Sequence, residues 1–468
     1  MLKKAEFVGR TRELELLTRA CDSPQSGLIP LYGRRRVGKS ELILRLLQGR
    51  PGGLYFLGKK APAALQVEEF LSEAARVLEE PLIAEQGTRS WKEALLSVTS
   101  RWRGPGKLIL AWDEFQWSAA ASPELPSVLQ DCWDRHWRDA GNVLVLLCGS
   151  LLGFMQREVL GSESPLFGRR TAQLLVRPFG HREAGLFHPD WSLADRARLY
   201  FTVGGIPQYL RAFDANKSYE QNLQEQLFDE FAPLHREPDF LLREELRDVE
   251  SYHGVLLAIA AGAGSVQDIA RTASLSARSL PYYLQQLTEL GYVARRHPLD
   301  GNPRRNARQV RYVLDDPLLR FWFRFVFPNL SYMSSGGPAR VFRERVRPEL
   351  DAHHGLGFER LCREALPSLY RRENVDASFE VGEYWDAKVQ LDVVSVRDDG
   401  WTDLGECRWG RIRSSKSLAE ELEERVQLYP NRPGHTLGRR YFVQRKPSGR
   451  LAGAGRWHDL EELYSVDE

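Results

Sequence analysis

"LYGRRRVGKS", residues 31–40, decides the fold of this chain. It fits G-x-x-x-x-G-K-[ST] at Gly33, Gly38, Lys39 and Ser40. It also follows the apolar run "LIPLY" and opens the helical stretch "SELILRLLQ". A strand before and a helix after are the contexts that confirm this pattern. The loop Gly33, Arg34, Arg35, Arg36, Val37, Gly38 curls so that its N–H groups face phosphate oxygens. The helix N-terminus at Lys39, Ser40 and Glu41 adds its positive end. Lys39 is placed to reach β- and γ-phosphates, and Ser40 to offer its hydroxyl to Mg²⁺. The competing reading is a chance glycine-rich turn, and both flanking elements weigh against it.

Outward from this loop, "LYFLG", "KLILAW" and "VLVLLC" read as strands, alternating with amphipathic stretches such as "VEEFLSEAARVL" and "LPSVLQDCWDRHW". That alternation predicts an α/β fold with a mostly parallel sheet over residues 1–180. "KLILAWDEFQW" (107–117) ends its strand on Asp113 and Glu114. Asp113 is expected to hold Mg²⁺ through water, and Glu114 to orient or activate the attacking water. The bland reading of both acids is a solvated turn. "VLVLLCGS" (143–150) ends on Ser150, which either senses the terminal phosphate or caps the following helix.

Residues 181–250 carry helical periodicity and predict a helical lid. Over 251–330 a helix–turn–helix pattern is followed by two alternating runs, "YVARRHP" and "RQVRYVLDDP", which predict a winged helix. Ser265 is placed to cap one helix, Ser276 or Ser279 the next, and Pro281 belongs in a first turn. Arg295, Arg296, Arg304, Arg305, Arg308 and Arg311 crowd the wing, and Arg278, Tyr282 and Gln286 lie on the second helix. Arginines at this density suit a phosphate backbone, and the helix side chains suit base edges or phosphates. The alternative is docking of the wing onto an acidic neighbouring domain. "SYMSSGGPAR" (331–340) reads as a linker, and 341–468 as a last α/β domain.

"FVGRTREL", "YGRRRVGKS", "LILAWDEFQ", "CGS", "SPLFGRRTAQLLVRPF" and "YFTVGGIPQYL" occur in this order. Together they resemble the prokaryotic family often called archaeal-type ATPases, in the STAND branch of AAA+-like P-loop proteins. The resemblance implies an ASCE-type core that hydrolyses ATP with Mg²⁺, its glutamate matching Glu114. It implies an arginine finger at Arg169 or Arg170, acting within the chain or from a neighbouring subunit; two surface turn residues are the alternative. In "GGIPQYL", Gly204 and Gly205 would permit a tight turn as the lid packs on the nucleotide. Many members continue into a winged helix and a restriction-endonuclease-like domain.

In that last domain "LGECRW" (404–409) follows "QLDVVSV". The family's nuclease variant carries a glutamate on a helix, an aspartate on one strand, and E-C-K plus an aromatic on the next. The matching positions are Glu359, Asp392, Glu406 and Arg408, with arginine where lysine belongs. Asp392 and Glu406 are expected to share a metal, and Glu406 and residue 408 to face one side of their strand. Arginine stabilises phosphate charge but cannot yield its proton, so cutting is in question. Lys388, at the parity of Asp392, is a candidate substitute.

Composition bounds the remaining classes. Basic and acidic residues number 65 and 63, so overall charge is silent on nucleic acid and only local clustering speaks. Five scattered cysteines without C-x-x-C spacing argue for a reducing compartment and against zinc. No apolar run is long enough to span a bilayer and no signal segment opens the chain. The expectation is therefore a cytoplasmic protein with no membrane partner, binding nucleotide and, through the wing, DNA. A protein partner or a homo-oligomer is the further expectation.

Overall fold

The computed structural model describes residues 7–300 and 309–465. It divides into two compact units, 1–178 and 179–468. None of the helices among the described residues is long and apolar enough to cross a membrane.

The first unit is built on a five-stranded, wholly parallel sheet. Its strands are β1 (Gly27–Tyr32), β2 (Gly53–Leu57), β3 (Leu108–Asp113), β4 (Val143–Gly149) and β5 (Leu174–Leu175), in the order β2-β3-β4-β1-β5. β3 and β4 are buried at every position. A parallel strand covered on both faces must be apolar throughout, which "LILAW" and "VLVLLC" satisfy. The core beside the sheet is aromatic. Phe56, Phe70, Trp91, Trp112 and Phe115 meet mostly edge to face, with Trp91 and Trp112 ring centroids 4.6 Å apart. Each such ring, buried, contributes roughly 1.5–3 kcal/mol. The effect is local as well as global: Trp112, also tied to Ser118 Oγ through its indole N–H (3.0 Å), fixes the end of β3 where Asp113 emerges.

In the second unit the helical character of 181–250 is present, beginning with His181–Gly185 and Leu193–Val203. These helices pack within their own unit. Tyr200 donates to Glu364 (2.7 Å), Tyr219 lies 2.9 Å from His354 Nε2, and a Cβ on Gly357 would stand 2.4 Å from the Phe201 ring. The partners of the expected lid are thus on a C-terminal helix, Leu350–Arg372. Gly204 has φ 69°, and the Gly205 carbonyl accepts from Phe179 N–H at 2.8 Å, making the tight turn expected there.

Where the winged helix is expected the chain forms helices Val249–Ala260, Val266–Thr272 and Leu280–Glu289, then the antiparallel pair β6 (Val293–Arg296) and β7 (Arg311–Leu314). Ser265 caps its helix through Asp268 N–H, and Pro281 lies in the first turn of the next. Arg304, Arg305 and Arg308 lie outside the described residues. "SYMSSGGPAR" is not a linker. It forms helices Leu330–Gly336 and Pro338–Val341, with Met333 and Val341 buried and Gly337, at φ 82°, making the corner between them. Buried apolar anchors outweighed the Ser/Gly composition.

The C-terminal sheet consists of β8 (Phe379–Trp385), β9 (Gln390–Arg397), β10 (Trp401–Arg408), β11 (Thr436–Val443) and β12 (Arg456–His458), ordered β12-β11-β10-β9-β8. β8, β9 and β10 run antiparallel, and β10, β11 and β12 parallel. Helix Ser415–Leu428 makes the crossover from β10 to β11 that a parallel pair requires.

Candidate functional site

In the first unit the chemistry gathers at the C-terminal ends of the parallel strands. β1 runs into a loop whose backbone needs positive φ at Gly33 (157°), Arg36 (67°) and Gly38 (90°) before helix Lys39–Leu47 begins. Gly33 has a second constraint: a Cβ there would stand 2.2 Å from the Val176 carbonyl oxygen. Lys39 is buried, and its Nζ donates to the carbonyls of Gly33 (3.0 Å) and Arg34 (2.8 Å). Burial lowers its pKa, while Cys148, Glu114 and Asp113 pull the other way. Phosphate oxygens would compete with those carbonyls for the ammonium, and a charge-assisted bond is the stronger of the two.

β4 lies between β1 and β3, so Ser150, at its tip, stands between the loop and the acids. Ser150 Oγ donates to Glu114 Oε2 at 2.9 Å, and Gln116 Nε2 contacts both Glu114 Oε2 and Ser150 Oγ. The serine therefore reaches the acid, and the next helix receives no side-chain cap. Asp113 is buried; Oδ1 accepts from Glu114 N–H (2.9 Å) and Oδ2 from Tyr55 Oη (2.7 Å). Ser40 is exposed at the start of its helix. A hydroxyl and a carboxylate are hard oxygen donors, and with waters and phosphate oxygens they suit Mg²⁺. The residues present fit that ion.

Sequence reasoning passed over three contributors. Arg10, in "FVGRTREL", is buried and donates to the carbonyls of Val37 (2.9 Å) and Arg177 (2.8 Å), bracing the phosphate loop from behind. Gln116 lies two residues from Glu114, but no motif in the sequence marks it. Tyr55 sits on β2 and meets Asp113 only because β2 and β3 are neighbours. Nothing along the chain signals that pairing.

The two finger candidates part company. Arg169 is fastened to Asp134 by Nε (3.0 Å) and Nη2 (2.7 Å), and to the carbonyls of Pro165 and Phe167. Arg170, among the described residues, bonds Gln173 Oε1 (3.1 Å) and lies over the Phe167 ring.

In the winged helix Arg278, Tyr282 and Arg295 are exposed, whereas Gln286 is half-buried. Arg296 binds Glu383 (2.8 Å) and approaches Asp315 (3.5 Å), and Arg311 covers the Trp385 ring at 4.6 Å. Just past β6, Leu299 N–H donates to the Glu383 carbonyl (2.7 Å), and Leu299 is buried in the core of the C-terminal sheet. Part of the basic wing is thus committed to docking.

In the C-terminal sheet the acids expected from the nuclease resemblance come close together. β9 and β10 pair with Val393 opposite Gly405, so Asp392 and Glu406 fall on the next rung, and both are buried. Burial first, then Asp392, raises Glu359 and Glu406 to about 8, and burial raises Asp392 too. Cations nevertheless hold these oxygens. Glu406 Oε2 is bonded by Arg425 of helix Ser415–Leu428, and Oε1 lies 3.1 Å from Arg408 Nη1, although not in line for a hydrogen bond. Arg408 also grips Glu421, and Asp392 Oδ2 accepts from Cys407 N–H at 3.0 Å. Among the described residues no group of three or more His, Cys, Asp or Glu is arranged to hold a metal ion. A divalent cation here would confront two fixed guanidiniums at close range, so the donor set as it stands does not fit one. Lys388 is no substitute: it lies in the exposed turn before β9, its N–H on Asp386 Oδ1, so strand parity does not apply.

Residues 7–213 match the family described as an ATPase domain predominantly from Archaea, and residues 322–422 one described as archaeal bacterial proteins of unknown function. An uncharacterised protein of Methanocaldococcus jannaschii is 27% identical over 427 residues, 90% of this chain and 92% of that protein. An uncharacterised ATP-binding protein of the same organism is 50% identical over 44 residues, 9% of this chain and 75% of that one. Among solved structures, a Walker-type ATPase of Pyrococcus abyssi superposes with TM-score 0.52 at 20% identity, covering 68% of this chain and 96% of that one. That likeness shows the P-loop ATPase fold.

Proposed function

We propose, for a chain whose residues 7–213 are an ATPase domain of the predominantly archaeal family, that the protein hydrolyses ATP with Mg²⁺. Its nucleotide state, on this reading, governs binding of nucleic acid by the winged helix at 251–330. The observation that carries the first part is the meeting of Lys39, Asp113, Glu114 and Ser150 at the strand ends. Lys39 and the loop amides of 33–40 grip the phosphates, while Ser40 and Asp113 hold the cation, Asp113 through water. Bound Mg²⁺ would neutralise charge on the phosphate oxygens. Glu114 accepts the proton of the attacking water, and Ser150 with Gln116 sets the direction of its carboxylate. Of the two arginines, Arg170 suits the finger, reaching a neighbouring subunit's site, because Arg169 is already bound to Asp134.

Exposed Arg278, Tyr282 and Arg295 support contact with nucleic acid. The C-terminal domain, nuclease-like in topology, binds without cutting on this reading, because Arg425 and Arg408 hold Glu406. A second reading, a nucleotide-gated scaffold for a protein partner, is favoured by Arg296 and Arg311 being spent on Glu383 and Trp385.

Duplex and single-stranded DNA and RNA binding, measured at rising salt with ATP, with ADP and without nucleotide, separates the two. The first reading expects affinity to fall steeply with salt, to depend on the nucleotide, and to weaken in Arg278→Ala. Absence of binding at low salt in every nucleotide state contradicts it and leaves the scaffold.

A further inference from the structure

Asp113 is held by more than its own loop. Tyr55 of β2 shares a sheet face with it, because Leu57, two residues on, pairs with Asp113. The phenol leans forward along the sheet and donates to Asp113 Oδ2 at 2.7 Å. The Ser40 side chain is near enough to act on the same phenol. Glu114 N–H occupies Oδ1.

Tyr55 therefore bonds the carboxylate that the proposed site offers a cation, Asp113 of β3, and stands near the other proposed oxygen ligand, Ser40 of the phosphate loop. We propose that Tyr55 is a positioning residue for Mg²⁺, its hydrogen bond setting the direction in which the Asp113 carboxylate faces the cation. The proposal rests on the nucleotide-site reading above. Its physical basis is general: outer partners of a metal ligand fix its orientation, and their loss typically costs about 10–100-fold in metal affinity. Without the phenol hydroxyl, Asp113 keeps its charge but gains torsional freedom.

The test is Tyr55→Phe in the full chain, which keeps the half-buried ring and removes only the hydroxyl. Affinity for a fluorescent ATP analogue is followed against Mg²⁺ concentration, and separately in EDTA. The Mg²⁺ concentration giving half of the full affinity gain should rise about tenfold or more, with affinity in EDTA and the melting temperature unchanged. KM for Mg·ATP should rise more than kcat falls. An unaltered Mg²⁺ dependence overturns the proposal. So does a parallel loss in EDTA, which makes Tyr55 a prop for the loop rather than a guide for the cation. If the unmutated protein binds no nucleotide at all, the site reading itself has failed and Tyr55 falls with it.

Discussion

Glu114 adopts left-handed backbone, φ 49°, at the junction of β3 and the next helix. For a residue that is neither glycine nor asparagine this conformation costs of order 1–3 kcal/mol, and it persists only where surroundings hold it. Here Ser150 and Gln116 hold its carboxylate and Asp113 accepts from its N–H. Glu114→Gln keeps the shape and the bond from Ser150 but cannot accept a proton. Nucleotide binding should survive, and phosphate release should fall about 100-fold or more; hydrolysis at the unmutated rate would remove Glu114 from the chemistry. Lys39, Asp113 and Glu114 were legible as single residues because spacing and strand context define them. Tyr55, Gln116 and Arg10 were not, since their partners are reached through the fold or lack a motif.

At the scale of elements, strands buried on both faces announced themselves as continuous apolar runs. The helices at 330–341 did not, because serines and glycines on their exposed faces concealed Met333 and Val341. β10 shows the same split. The pairing of Asp392 with Glu406 follows from strand parity and register, but Arg425 lies 19 residues on, on the crossover helix, and no local pattern exposes it. The acids there have a measurable consequence. Glu359 has its pKa raised to about 8 in the folded chain against 4.5 when free. Between those values the folded form carries a proton that the unfolded form lacks, so its stabilising contribution is present at low pH and lost as pH climbs through 8. Glu359→Gln removes that dependence. By scanning calorimetry the variant should melt higher than the unmutated protein at pH 8, by about 2–4 °C for each kcal/mol, and show no such gain at pH 5. Equal gains at both pH values would place the cause in packing instead of charge.

Across the whole molecule, the loop at 33–40 belongs to one unit, and the β6–β7 pair and the C-terminal sheet to the other. The chain's near-neutral total charge gave no sign of which surface meets a partner. The arginine-rich wing was visible in the sequence, but its division between docking and exposure was not, since Glu383 and Trp385 lie far along the chain. What unites the account is that ATP occupies the loop at 33–40. Titration calorimetry of ATP with Mg²⁺ into the purified full chain tests this most directly. Saturable heat at one site per chain is expected, with Lys39→Ala binding about 10–100-fold more weakly, as loss of a charge-assisted bond implies. No heat with ATP, or equal affinity in the Lys39→Ala protein, would contradict it.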